Sequence, residues 1–315
     1  MPSGSGPGKA DVFAHQFLAY TISGVTSGSI YVMAAVGFTL VYRVVRVLDL
    51  TYSAVIVVGT FVAWTVDSNL TSPLGSGGAA AVAVPATVAA CIVIDVVIER
   101  VLIRRLIGRG ANILVVIVAT LGGFYVLQEI LTHWEGPLPV SVHLPFNNVV
   151  LATVQSGRVT TSDVIVVVGT ALSMAGLVIW SKRSVSGRCA EAIAQDRDAA
   201  ALVGINLPRI QRACFVAVGL MAGIAAVLYN VNYTSTQYEA ALPLGILGLS
   251  AAVMGGLGNV YGAIVGGLIL GLVESYGTGL FGATWQSAIA YVILVALVLV
   301  RPQGIIAERA TVARA

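Results

Sequence analysis

In the stretch DLTYS, residues 49–53, a carboxylate and three hydroxyls stand between two apolar runs. Polar side chains at a break in an apolar helix can line a path for a polar solute. Asp49 can equally cap the N-terminus of the helix that follows. The two roles are compatible, and Asp49, Thr51 and Tyr52 are candidate pathway residues. A second break is GGLGN, residues 255–259. Its glycines permit close helix packing. They also permit an interrupted helix whose backbone lines a path, which makes Gly255, Gly256, Gly258 and Asn259 candidates too.

No residue set points to catalysis. His15, His133 and His143 are expected at or beyond one edge of the membrane, away from carboxylates. Cys91, Cys189 and Cys214 are scattered with no CxxC, which argues against a disulfide framework or a zinc site. GSGPGKA, residues 4–10, has the outline of a phosphate loop, but Ala10 replaces the required Ser or Thr and no strand precedes it. The chain is therefore expected to bind no ATP, metal or cofactor and not to be an enzyme. Among the other carboxylates, Asp95 and Glu99 are expected at the cytoplasmic end of a span, solvated by neighbours. Glu129 is expected at the outer interface, and Glu274 at a span end with a structural or functional role.

The third feature is a charged, Ala-rich island, GRCAEAIAQDRDAAALVGIN, residues 187–206. Ala190, Ile193, Ala194 and Ala201 recur at helical spacing and predict one face turned inward. Glu191, Asp196, Arg197 and Asp198 would face water or a partner. Gly204 is placed to end the helix and Pro208 to stop its resumption. A solvated connector is the plain reading, but a linker can be short and flexible. A capped helix fits docking better.

Oil surrounds these features. The 315 residues are 57% hydrophobic and 10% charged, against about 25% charged in soluble domains, with mean hydropathy +0.93. Such a composition cannot cover a water-soluble surface, and it predicts an all-α polytopic membrane protein. Apolar runs place full spans at 13–42, 50–66, 79–98, 111–131, 164–180, 213–229, 259–276 and 283–300, with a short segment at 244–255. Residues 1–12 and 307–315 are expected to be tails, with 1–12 disordered and no cleavable signal. The membrane-spanning body is then expected at 13–306. Residues 67–78 and 132–163 are expected as external loops, the second in extended conformation.

Lys and Arg are retained in cytoplasmic loops. All but Lys9 and Arg158 of the 17 fall into four groups after the first, third, fifth and last spans. The alternation closes with the N-terminus outside, the C-terminus inside and 244–255 counted as a crossing, giving nine; eight results if 244–255 is re-entrant. The segments 41–59 and 234–259 each place a polar kink before a short span (50–66 and 244–255), after a long Gly-containing helix and before two further spans. That pattern predicts inverted repeats with broken helices.

Three blocks resemble one family. The island at 187–206 is similar to the cytoplasmic coupling segment of branched-chain amino acid ABC transporter permeases of the LivH/LivM type. Residues 34–64, AAVGFTLVYRVVRVLDLTYSAVIVVGTFVAW, resemble their first conserved segment. Residues 251–275 resemble their Gly-rich C-terminal segment, and RPQGI, 301–305, their closing motif. The resemblance runs from about 17 to 306. It departs where the family carries an NFAHG-like box: here Asp49, Tyr52 and Ser53 replace the Asn, His and Gly. GGLGNVYG likewise replaces GGLGS-PG. The resemblance implies a bacterial cell-membrane importer subunit working with two ATP-binding subunits that carry the ATP and Mg. It also implies a second permease and an extracytoplasmic solute-binding protein, with no nucleic acid. Gly187, Arg188, Glu191, Ala194, Asp196, Gly204 and Ile205 would form the ATPase contact. Branched-chain amino acids are the implied solutes, with amides and urea as variations. A stand-alone ion-coupled transporter, with Asp49 in its ion site, is the alternative. A passive channel is a third class.

Overall fold

The computed structural model describes residues 9–136, 138–141, 149–154, 157–233 and 235–285, with scattered residues between 288 and 304. The expected span 283–300 beyond residue 285, and the tails before Lys9 and after Gly304, lie outside the continuously described residues. Among the described residues, eight helices are long and apolar enough to cross a membrane.

Helix α1 (Lys9–Val45) is the most buried of the eight. Its backbone is helical from Lys9, earlier than the expected start at Phe13. Helices α2 (Thr51–Thr71) and α3 (Gly77–Gly108) follow almost without interruption. The loop expected at 67–78 is helical except at Gly75, where φ is 73°. Short polar side chains explain this: Asn69 and Thr71 hydrogen-bond back to the carbonyls of Thr65 and Asp67, within the helix. One glycine then suffices as the break. Near its end α3 contains a π-helical turn, Glu99–Ile103.

Helix α4 (Ile113–Glu135) leads to short strands β1 (Val140–Ser141), β2 (Val150–Val154) and β3 (Gly157–Thr160). Among its described residues, the segment 132–163 is thus extended at 140–141, 150–154 and 157–160 and helical at both ends. Thr160 and Asp163 form a capping box that starts α5 (Thr161–Arg183). Helices α6 (Val185–Gln195) and α7 (Arg197–Leu202) precede α8 (Leu207–Asn232). Strand β4 (Ser235–Thr236) pairs with β1, and α9 (Ala241–Gly255) and α10 (Val260–Phe281) complete the described bundle.

Glycine decides which helices meet. Gly24 and Gly28 of α1 face Gly267 and Gly271 of α10, and a Cβ built on Gly271 would lie 2.3 Å from the Gly28 Cα. Gly219 and Gly223 of α8 lie against Ile92 and Val88 of α3, each with backbone 2.6 Å from an added Cβ. Both pairs run antiparallel, with backbones in contact, as small residues four apart allow. The third helix of the set α1–α4 packs along α8, and the third of the set beginning at α8 packs along α1. This reciprocity is what an inverted pair of repeats requires.

One end of the bundle collects the C-termini of α1, α3 and α5 and the N-termini of α8 and α10. Arg104 there reaches the carbonyl of Pro208, and Lys182 lies over the Tyr261 ring. The opposite end carries β1, β4 and the β2–β3 hairpin.

Candidate functional site

The chain leaves α1 through Arg46, whose φ of 59° is left-handed, and turns back into the bundle. Residues 47–50 then run inward, so that α2 starts at depth rather than at the bundle end. Leu48 and Leu50 meet the Thr120 hydroxyl of α4, and a Cβ on Gly123 would touch Thr51. Tyr52 fills the space left by Gly37 and donates to the Met33 carbonyl at 3.1 Å. Asp49 is buried, and its Oδ1 accepts from the Thr51 amide at 3.0 Å and from the Thr51 hydroxyl. The capping chemistry expected of Asp49 is therefore present, acting one residue before the N-cap position, Leu50.

Asp95 is placed differently from the expectation. It is 0% exposed, one turn from Cys91, and Asp49 is its electrostatic neighbour. Neither of its carboxylate oxygens has a hydrogen-bond partner among the described residues. Solvation by flexible neighbours fails because Gly219 and Gly223 bring α8 flush against this face of α3. Glu99, also fully buried, is paired with Arg104 at 2.8 Å. Glu129 is exposed, with His133 beside it at 3.3 Å. That corrects the separation of histidines from carboxylates: positions four apart share a helix face. His15 and His143 lie outside the described side chains. Glu274 is buried within α10, near Tyr31 and Tyr233. All three cysteines are free.

The island at 187–206 is two short helices rather than one. Asp196 breaks it, because its carboxylate accepts the amides of Asp198 and Ala199 and so starts α7 afresh. The break changes the inward face: Ala190 and Ile193 are buried and Ala194 partly so, but Ala200 is buried in place of Ala201, which is exposed. Gly187 seats α6 directly on the end of α5, with an added Cβ only 2.5 Å from the Ser181 Cα. Gly204 has φ 86° in open space, where the Ile205 amide returns to the Ala200 carbonyl. Arg188 and Asp196 are exposed and Ile205 half-buried. Leu202 and Val203, at 89% and 77% exposure, form an apolar tip. Pro208 lies in the first turn of α8, so it starts the next helix as well as ending this one.

Helix α6 is tied to α1. Glu191 pairs with Arg43 at 3.3 Å, and the Arg46 guanidinium donates to the Ala194 carbonyl. Beside this contact lies a cavity of about 200 Å³, lined by Arg43, Lys182, Glu191, Gly258, Asn259 and Tyr261 among others. The structure so brings Glu191 to Gly258 and Asn259. Asn259 caps α10 by accepting the Tyr261 and Gly262 amides, and Gly255 crosses Gly262 backbone to backbone. Gly256 and Gly258 have positive φ in the tight turn between α9 and α10. Asp49, Thr51 and Tyr52 form a separate buried group.

Arg43, Arg46 and Asp95 were not among the sequence candidates. The two arginines read only as cytoplasmic charges, and no local signal marks Arg46 for a left-handed backbone. Asp95 sits in an otherwise charge-free apolar run, which is the one signal available.

A family model described as branched-chain amino acid transport system, permease component, matches residues 20–298. A high-affinity branched-chain amino acid transport system permease protein, BraD, from Pseudomonas aeruginosa is 31% identical, covering 93% of this chain and 96% of the relative. LivH from Salmonella typhimurium is 29% identical over 92% of this chain and 95% of its own. A probable LivH from Methanocaldococcus jannaschii is 25% identical over 88% of each. No solved structure matches. With nearly its whole length matched, this multi-pass chain belongs to the permease-component family of branched-chain amino acid transport systems.

Proposed function

We propose that the chain is the membrane subunit of an ABC importer, driven by separate ATPase subunits that grip α6 and α7. The observation that carries this reading is the helix pair itself. It buries one face on α5, α8 and the end of α1, and turns charges and the apolar Leu202–Val203 tip outward. A connector has no need of either. Cationic residues gather at the same end, which supports a cytoplasmic position for that end, with the N-terminus outside and the C-terminus inside. ATP and Mg are held by the partners, two ATP-binding subunits. A second permease completes the pathway, and an extracytoplasmic binding protein delivers a branched-chain amino acid or a related small polar solute such as an amide or urea. Closure of the ATPases moves the helix pairs together, and the spans rock from outward to inward access.

The test uses the exposed tip. Leu202→Asp leaves the bundle intact and is expected to lose the ATPase subunits on purification of the complex. Full retention of those subunits would contradict the docking role. One observation favours the alternative, an ion-coupled transporter: Asp49 and Asp95 are buried together beside the break. Solute uptake driven by an ion gradient, with no ATPase present, would establish that alternative.

A further inference from the structure

We propose that Arg43 and Arg46 carry the motion of α6 to the polar break at 46–50, with Arg46 as the principal positioning residue. The inference rests on the importer reading and adds how the docking site is linked to the interior.

Helix α6 is built as a lever. Its first turn is fixed at Gly187, where the backbone of Trp180 and Ser181 leaves no room even for a methyl group. Its far end, Glu191 to Ala194, touches α1 instead. The Arg43–Glu191 pair is well shielded on the arginine side, whose side chain is 14% exposed. Arg46 adds a second tie. The Ala194 carbonyl lies in the last turn of α6, where carbonyls lack intrahelical partners and a cation is favoured. Arg46 also lies 5.8 Å from the Tyr42 ring centroid, which keeps its guanidinium aimed at α6.

The backbone of Arg46 does the other half. It is the one non-glycine residue with positive φ among the described residues. Its amide closes the last turn of α1 on the Tyr42 carbonyl at 2.9 Å, and its left-handed conformation sends the chain back toward Asp49. Glycine would adopt that conformation without strain. A strained arginine persists where its surroundings hold it there, and such sites cluster at switches. The side chain that holds α6 and the backbone that reverses the chain therefore belong to one residue. Displacing the far end of α6 must either break both ties or drag residues 46–50, and with them the Asp49–Thr51 cap.

The experiment is ATP-driven uptake by the complete complex in liposomes, scored as solute taken up per ATP hydrolysed. Arg46→Gly keeps the backbone conformation and removes the tie. It is expected to assemble and hydrolyse ATP within about twofold of wild type, while uptake per ATP falls about tenfold. Arg43→Glu and Glu191→Arg are each expected to lower uptake per ATP, and the double exchange to restore most of it, which lost packing alone cannot explain. Wild-type uptake per ATP in Arg46→Gly, or a double exchange no better than its parents, would overturn the proposal. Failure of the importer reading looks different: the wild-type protein would transport without ATPase subunits.

Discussion

At the scale of single residues, the tension in the molecule lies at Asp95. A buried carboxylate without a donor or a cation costs several kcal/mol if ionised. Asp95→Leu replaces it with an apolar side chain of similar size and removes that cost. It is expected to stabilise the detergent-solubilised protein by about 1–3 kcal/mol, read as a higher melting temperature; a lower one would show that the carboxylate has a partner outside the described residues. Asp49 behaves oppositely, because its carboxylate already serves the Thr51 amide. Asp49→Ala is expected to cost about 1 kcal/mol in the same measurement, as lost caps do, while Asp49→Asn retains the acceptor and costs less. The cap at Asp49 was legible in DLTYS. The burial of Asp95 was not, because it depends on which helix covers α3, and that is decided by Gly219 and Gly223 more than a hundred positions away. The break at Asp196 was legible in principle, since Asp is a strong N-cap residue; the Ala-rich periodicity around it hid the signal.

At the scale of elements, close helix crossings depend on glycines that have no room for a side chain. Gly271→Val would drive Cβ into the Gly28 backbone and separate α10 from α1. A loss of several kcal/mol, or failure to accumulate in the membrane, is expected. Gly122→Ala and Gly176→Ala meet nothing within 4 Å and should be neutral or stabilising by up to about 1 kcal/mol. Equal damage from all three would refute the packing account. Length and apolarity made seven of the eight helices legible as full spans and the eighth, Tyr238–Gly255, only as the short segment 244–255; α3 runs to Gly108, well past the expected end at 98. What those signals missed were places where polar residues continue a helix, as in residues 67–74, or where a helix begins below the surface, as at Thr51. Hydropathy reports what an element is made of, and the depth at which it starts is set by the Arg46 reversal.

At the scale of the whole molecule, the proposed orientation puts the end that holds the arginines in the cytoplasm. Cys189 lies on α6 and is partly exposed, whereas Cys91 and Cys214 are buried. A membrane-impermeant maleimide should therefore leave intact cells unlabelled and modify Cys189 once the membrane is opened; labelling of intact cells would reverse the orientation. The family was legible in three ordered blocks of sequence. The ties from Arg43 and Arg46 to α6 became visible only in the fold, because they join residues almost 150 positions apart. The most direct measurement of the central claim is uptake of a radiolabelled branched-chain amino acid into liposomes containing the purified transporter, with the binding protein outside and ATP within. Uptake that requires ATP, the ATPase subunits and the binding protein together is the predicted result. Uptake by this chain without ATPase subunits, whether driven by an ion gradient or passive, would contradict it.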